Sequence, residues 1–157
     1  MSRGTWGSAE LIEADDTGDA EYPRVAIDGS GNAIAVWHQS DGTWLNIRSN
    51  RYVAGAGWGT PQSIEAGNLG DAKFPRVAVD GNGNAIAVWQ ASDGTHTNIR
   101  ANRYVAGTGW GTAQLIETGD AGPAIDPQIA INAGGYGIAV WTHSDGARYN
   151  INAVRFE

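Results

Sequence analysis

Residues that could do chemistry recur at a fixed spacing along this chain. Carboxylates stand in three Asp-Gly pairs, at Asp41, Asp93 and Asp145, each fifty-two residues after the one before. The aromatic and imidazole side chains that follow these pairs are Trp44, His96 and Tyr149. An aromatic ring can stack on the apolar face of a sugar while carboxylates bind its hydroxyls. We therefore interpret these six residues as a candidate carbohydrate-binding set.

The three copies of this set differ from one another. Substitutions between the repeats concentrate around the Asp-Gly pairs and in the linkers between repeats, whereas other turns are nearly constant in the first two copies. Such variation is expected of specialised binding sites, and it is also expected of unconstrained loops. Both interpretations stay open.

A second candidate site uses Arg24 and Arg76, which are also fifty-two residues apart. Gln128 stands at the third equivalent position. The planar guanidinium group binds carboxylates and phosphates through paired hydrogen bonds, so these residues could hold an anion. The alternative is that they form ion pairs with nearby acids such as Asp19 and Asp71.

Other motifs predict neither a catalytic nor a metal site. The segment Asp80-Gly-Asn-Gly-Asn84 copies the opening of a calcium loop, but Ala85 replaces the required Gly and Ala91 replaces the closing Glu. A plain hairpin turn is the favoured interpretation. The chain has no Gly-x-Ser-x-Gly segment, no Cys and no His pair at zinc spacing. We therefore predict no catalytic residues, metal or cofactor.

Composition narrows the classes of partner. The 157 residues include 17 acids and 10 bases, a net charge of −7, which argues against binding to nucleic acids or anionic membranes. Without Cys there is no disulfide framework. No apolar run has the length of a membrane span, and no signal-peptide core is present. The compartment stays open, since a secreted or periplasmic protein could have lost its leader.

The elements that must position these residues repeat with the same period. Residues 22–37 return as 74–89 and, more weakly, as 126–141. Fixed periods of this length mark units that stack on copies of themselves to bury their apolar faces. Alternating apolar residues between Gly, Asn and Asp turns predict four strands in the middle repeat. These strands are predicted at 75–80, 85–90, 98–105 and 110–117.

A four-stranded antiparallel unit of this length resembles a propeller blade, and the whole chain resembles the β-propeller superfamily. The turn Val79-Asp-Gly-Asn-Gly-Asn84 is similar to turns between inner strands of bacterial propeller repeats. The resemblance implies an all-β fold, with one repeat domain over 1–157 containing three four-stranded blades. The three repeats span 22–65, 74–117 and 126–156. Three tryptophans inside the second strands, Trp37, Trp89 and Trp141, are predicted to be core residues.

The resemblance also predicts how the ring closes. A fourth-strand pattern at 6–13 precedes the first repeat, and the last repeat has only three strands, so we expect a strand-swapped closure. Three blades are fewer than the usual four to eight. We therefore predict a six-bladed homodimer with two-fold symmetry, in which Arg24 and Arg76 supply four guanidinium groups near the channel. A nine-bladed homotrimer is less favoured, and half of a longer propeller is the alternative.

Three functions remain in view. The first is a non-catalytic scaffold or binding module that homo-oligomerises and binds glycan or protein on the variable loop face. Small propeller lectins are similar, although their repeats usually reproduce one pocket. The second is a sialidase-like glycan-processing enzyme, which the arginines suit but in which Phe74 and Asp126 replace Tyr22. The third is an engineered or duplicated repeat protein without an evolved ligand, since the first two repeats are closely similar.

Overall fold

Short alternating segments between turn residues make this chain a protein of strands. A computed structural model describes residues 4–65, 67, 70–119 and 121–157. Within those ranges thirteen strands pair antiparallel and form three sheets in chain order. None of these residues belongs to a helix that could cross a membrane. The predicted all-β class, with antiparallel sheets, is confirmed.

Sheet I is built by the first repeat. Its strands run in the order β1-β2-β3-β4, and a short β5 also pairs with β3. They are β1 Ala20–Ile27, β2 Ala33–Ser40, β3 Leu45–Val53, β4 Gly57–Trp58 and β5 Gln62–Ser63. Nearly all of β2 is buried, as expected for a strand that is apolar on both faces and covered on both.

Sheets II and III repeat this arrangement. Sheet II contains β6 Ala72–Val79, β7 Ala85–Ser92, β8 Thr97–Val105, β9 Gly109–Trp110 and β10 Gln114–Leu115. Sheet III contains β11 Ala124–Ile131, β12 Gly137–Ser144 and β13 Tyr149–Phe156, paired in that order. The first three strands predicted for the middle repeat therefore fall on β6, β7 and β8.

The predicted fourth strand is only partly formed. In place of one strand at 110–117, the two-residue strands β9 and β10 both pair with β8. Gly109 and Gly111 flank Trp110, and Gly109 has a φ of 110°. Glycine weakens a strand because it has no side chain to pack and loses more backbone freedom than other residues. The fourth segment therefore follows the edge of the sheet without pairing along its whole length.

Apolar side chains between neighbouring sheets form the core. Between sheets I and II, Ile34 and Ile47 belong to the same cluster as Val77 and Val79. Between sheets II and III, a second cluster is formed by Ile86, Ile99, Ile129 and Ile131. The three tryptophans predicted as core residues are buried in all three sheets, which confirms their role: Trp37, Trp89 and Trp141.

Among the described residues, no further sheet covers the outer face of the first sheet or that of the last sheet. Ile47 and Ile99 are fully buried, whereas Ile151, at the equivalent position of sheet III, is 76% exposed. On the opposite side, Val25 and Ile27 of sheet I are also largely exposed. Two apolar faces that the repeat normally buries are thus open to solvent.

The segment at 4–16 contains no strand. The fourth strand predicted at 6–13 is therefore not formed in the single chain, and Trp6 is fully exposed. The physical reason is that a fourth strand needs the third strand of its own sheet as a partner, and sheet I already has its own fourth segment. The completion of sheet III by residues 6–13 stays a prediction.

The same segment nevertheless lies against sheet I as a fourth segment would. Asn50 Nδ2 donates a hydrogen bond to the Ile12 carbonyl at 2.8 Å. One repeat later, Asn102 Nδ2 donates to the Ile64 carbonyl, also at 2.8 Å. The segment therefore contacts sheet I as the fourth segment of sheet I contacts sheet II.

Candidate functional site

A bulge interrupts the first strand of every sheet at the same place. The register shifts between Glu21 and Arg24 in β1, and equivalent shifts occur in β6 and β11. At each bulge a residue before a proline adopts a left-handed φ of 54° or 55°. These residues are Tyr22, Phe74 and Asp126. Such a conformation is costly for aromatic residues, and bulges commonly redirect a side chain.

The first two bulges bring aromatic rings together. The rings of Tyr22 and Phe74 meet edge to face with centroids 4.8 Å apart, and the Tyr22 and His38 centroids lie 5.0 Å apart. The Phe74 backbone N–H donates to His38 Nδ1 at 3.4 Å. His38 Nε2 lies 3.6 Å from Glu21 Oε2. Burial lowers the pKa of His38 although Glu21 opposes this, so the imidazole is neutral at pH 7.

Arg24 and Arg76 follow these bulges on neighbouring strands. Arg24 Nη1 donates to the Pro23 carbonyl at 2.8 Å, and Arg76 Nη1 donates to the Pro75 carbonyl at 3.1 Å. Arg76 Nε also donates to Gln128 Oε1 at 3.4 Å. The structure therefore brings the predicted anion-binding residues together along one edge of the sheets.

The alternative, ion pairs of Arg24 and Arg76 with acids such as Asp19 and Asp71, is not seen among the described residues. Asp71 binds Lys73 instead, with Oδ2 and Nζ 2.7 Å apart. Its other oxygen accepts a hydrogen bond from the Leu45 backbone N–H at 2.9 Å. Lys73 is the nearer cation because it follows Asp71 by only two residues, at the start of β6.

Each Asp-Gly carboxylate of the predicted carbohydrate-binding set stabilises its own turn. Asp93 Oδ1 accepts the backbone N–H groups of Thr95 and His96 at 2.8 Å, and its Oδ2 accepts Asn98 Nδ2 at 2.8 Å. These hydrogen bonds to the charged form lower the pKa of Asp93 to about 2. The pKa values of Asp41 and Asp145 are lowered by equivalent bonds.

The aromatic members of that set lie at the same end of three different sheets. Trp44 and Tyr149 are exposed and His96 is half-buried. Trp44 and His96 lie in the turns that precede β3 and β8, and Tyr149 begins β13. Each turn therefore offers a ligand a different surface, and the role of these residues in binding stays a prediction.

The segment that resembles a calcium loop is a hairpin turn. Asp80 Oδ1 accepts the backbone N–H groups of Asn82 and Asn84 at 2.8 and 2.9 Å. Its Oδ2 accepts Asn84 Nδ2 at 2.8 Å. The carboxylate is therefore used within the turn. Over the part of the chain that the structure describes, no three His, Asp or Glu side chains converge as metal ligands would.

The first strands β1, β6 and β11 form one edge of the three sheets, here called the inner edge. Sequence reasoning missed Glu21 and His38, which lie at or beside this edge. Position 38 varies between the repeats, with Gln90 and Thr142 as its equivalents, whereas its neighbour Trp37 is constant. A polar residue next to a buried tryptophan in a strand that is apolar on both faces is a signal for a buried polar contact. That signal pointed to His38, but its partners on other strands could not be found without the bulge.

Comparison with known proteins places the fold but no family. No protein-family model matches the chain, and no curated protein matches it. A solved protein of unknown function from Dyadobacter fermentans is similar, with a TM-score of 0.65 and 11% identity over 94% of this chain. An endo-arabinase from Bacteroides thetaiotaomicron is similar, with a TM-score of 0.57 and 13% identity over 94% of this chain. The chain spans only 54% and 60% of those two proteins, and the likeness concerns the fold alone.

Proposed function

We propose that this chain is half of a six-bladed β-propeller scaffold, which closes by binding a second copy of itself. The observation that carries the proposal is the open apolar face at each end of the stack of sheets. Residues equivalent to the exposed Ile151 are fully buried in sheets I and II because another sheet covers them. The chain matches little more than half of two longer solved chains, as half a ring would.

The repeat specifies which faces would meet. Ile47 of sheet I belongs to one cluster with Val77 and Val79 of sheet II. Two periods after Ile47 stands Ile151, and one period before Val77 and Val79 stand Val25 and Ile27. The equivalent contact in a closed ring would therefore place Ile151 of one copy against Val25 and Ile27 of the other. Burial of apolar area stabilises such a contact by roughly 25 cal/mol per Å². Two copies related by a two-fold axis would form two identical contacts, which together bury the open faces of both copies.

A groove beside sheet III lies where a fourth segment of that sheet would be expected. Between sheets I and II, Trp110 and Ala113 of the fourth segment of sheet II pack into the core. Between sheets II and III the corresponding space is a groove of about 490 Å³, lined by Trp110, Ile129 and Phe156 among others. Trp6 and Ala9 stand in the same register as Trp110 and Ala113. The repeat therefore supports residues 6–13 of a second copy as the proposed occupant of this groove.

Aromatic pairs point to the same occupant. Tyr52 packs edge to face against Trp58 with ring centroids 5.5 Å apart, and Tyr104 packs against Trp110 in the same way at 5.6 Å. Phe156 is the third member of the tyrosine series. Its partner in the tryptophan series would be Trp6 of the second copy. The pair would contribute about 0.5–1.5 kcal/mol beyond its buried area.

The ligand-binding role is proposed for the loop face that carries Trp44, His96 and Tyr149. Exposed aromatic rings beside ordered turns offer a surface to glycans or to a protein. We propose that this scaffold binds without catalysis. A glycan array followed by chromogenic glycosides tests this: binding without hydrolysis supports the scaffold, and hydrolysis supports the sialidase-like alternative. Blank results in both assays favour a repeat protein without an evolved ligand.

Native mass spectrometry tests the assembly. We expect a species of about 33 kDa, twice the chain mass of 16.5 kDa. The variant Trp6→Ala removes the aromatic anchor that the second copy would bury and should weaken association about 30-fold, since such anchors contribute about 2 kcal/mol or more. Trp44→Ala is the matched control because Trp44 is an exposed tryptophan outside the groove. A monomeric wild type, or equal effects of the two variants, would contradict the proposal.

A further inference from the structure

The arginines of the inner edge occupy equivalent places on touching strands. Arg24 and Arg76 each follow a left-handed residue and a proline, in β1 and β6. These two strands pack against each other, and β6 also packs against β11, which carries Gln128. The repeated bulge therefore places two guanidinium groups side by side and an amide next to them.

Among the described residues, most of the donors of these two groups have no protein acceptor. A guanidinium group has five N–H donors. Arg24 uses one for the Pro23 carbonyl, and Arg76 uses two, for the Pro75 carbonyl and for Gln128. Over residues 4–65, 67, 70–119 and 121–157, neither arginine is seen in an ion pair. Guanidinium donors left over in this way can bind an oxyanion in the bidentate manner.

Like charge at this edge also favours an anion. Burial and the positive charge of Arg24 both lower the pKa of Arg76, and the Asp126 carboxylate acts in the opposite direction. The other charged or titratable groups of the edge are already engaged. Lys73 pairs with Asp71, and Glu21 lies beside His38. An anion between the arginines would relieve their repulsion, and Asp126 would compete with it.

We propose that Arg24 and Arg76 together bind one oxyanion group per chain, either a phosphate or a carboxylate. Gln128 accepts a hydrogen bond from Arg76 Nε and so holds that guanidinium in place. The site goes beyond the proposed assembly because both arginines belong to one chain. In a closed ring, the same pair from the second copy would line the channel as well.

Isothermal titration of the full chain with inorganic phosphate, and separately with citrate, tests the site. We expect binding of one anion per chain that weakens with added salt, because the interaction is electrostatic. Arg24→Gln and Arg76→Gln should each weaken binding about tenfold or more, and Asp126→Asn should strengthen it. Arg148→Gln is the matched control, since Arg148 lies in the turn before β13, away from the inner edge.

The titrations with phosphate and citrate either support or overturn the anion site. Binding of phosphate alone or citrate alone supports the site and identifies its chemistry. No binding of either anion in the millimolar range overturns it, as does an equal loss of affinity in Arg148→Gln. The mass of the same samples separates this proposal from the assembly. A dimer that binds no anion overturns the site only, and a monomer that binds one overturns the assembly only.

Discussion

Two junctions built from the same repeat treat their buried polar groups differently. At the first junction, segment 4–16 lies against sheet I, and Gln39 connects two groups there. Trp37 Nε1 donates to Gln39 Oε1 at 3.1 Å, and Gln39 Nε2 donates to Glu13 Oε2 at 2.6 Å. A single buried amide thus supplies an acceptor to the indole and a donor to the carboxylate.

At the second junction, between sheets I and II, Ala91 stands where Gln39 stood and provides neither group. Glu65 Oε1 and Trp89 Nε1 are both buried, and neither has a hydrogen-bond partner among the described residues. Burial raises the pKa of Glu65 to about 7. Each unsatisfied buried polar group costs about 1–3 kcal/mol. The second junction, whose tryptophan is the more deeply buried, therefore leaves more polar atoms without a hydrogen-bond partner than the first.

The third junction, between sheets II and III, uses an imidazole at this position. His143 Nε2 lies 3.7 Å from Glu117 Oε2, and His143 Nδ1 lies 3.4 Å from Asn152 Nδ2. One position on the second strand thus decides how the acid of the preceding segment is paired. Repeats of nearly equal sequence can therefore differ locally in stability through one side chain.

The largest effect on stability is expected for an asparagine that makes the same hydrogen bonds at the first and second junctions. Asn102→Ala removes hydrogen bonds to the Ile64 and Gly111 carbonyls at 2.8 and 3.0 Å and should lower the free energy of unfolding by about 2–3 kcal/mol. Asn50→Ala, which loses the equivalent bonds at the first junction, should cost about as much. Urea unfolding measures both. A far smaller loss for Asn50→Ala would show that segment 4–16 packs more weakly on sheet I than the fourth segment of sheet I packs on sheet II.

A smaller effect of opposite sign is expected at the second junction. Ala91→Gln should supply the missing amide to Glu65 and Trp89 and raise the free energy of unfolding by about 1–2 kcal/mol. Ala91→Leu adds similar volume without polar atoms and is the control. Thermal unfolding of the two variants separates hydrogen bonding from packing. If Ala91→Leu stabilises the protein as much as Ala91→Gln does, the polar explanation is wrong.

Local pattern was sufficient to predict the three sheets. The alternation in 75–80 and the Gly-rich turn after it depend only on neighbouring residues, so β6 and its hairpin could be located. The fourth strand could not be located as well. Its pairing is limited by glycines such as Gly109 and Gly111, whose effect depends on the neighbouring strand rather than on the pattern.

The candidate sites were harder to predict because they depend on contacts across sheets. Arg24 and Arg76 were found from their spacing, but spacing could not show that Asp71, an acid considered as their alternative partner, binds Lys73. Glu65 was not singled out at all. It recurs in register like a structural residue, and only the identity of a residue on the next sheet leaves its Oε1 atom without a hydrogen-bond partner among the described residues.

A further effect on stability concerns acidity at the second junction. The pKa of Glu65 is raised from 4.5 to about 7 by burial, with Arg100 and the Ile47 backbone opposing the shift and Asp41 adding to it. As the pH rises, the unfolded chain ionises before the folded one. The contribution of Glu65 to the free energy of unfolding is therefore complete below about pH 4.5 and is lost as the pH approaches 7.

Glu65→Gln removes this titration, so the difference in stability between wild type and variant should fall between about pH 4.5 and pH 7. His38, whose pKa is lowered by burial, acts in the opposite direction below its ordinary value of 6.5. It is present in both proteins, so its effect cancels in the difference. Urea unfolding across this range provides the measurement. A difference that stays constant with pH would mean that Glu65 is ionised in the folded protein. A group other than residue 91 would then stabilise its carboxylate.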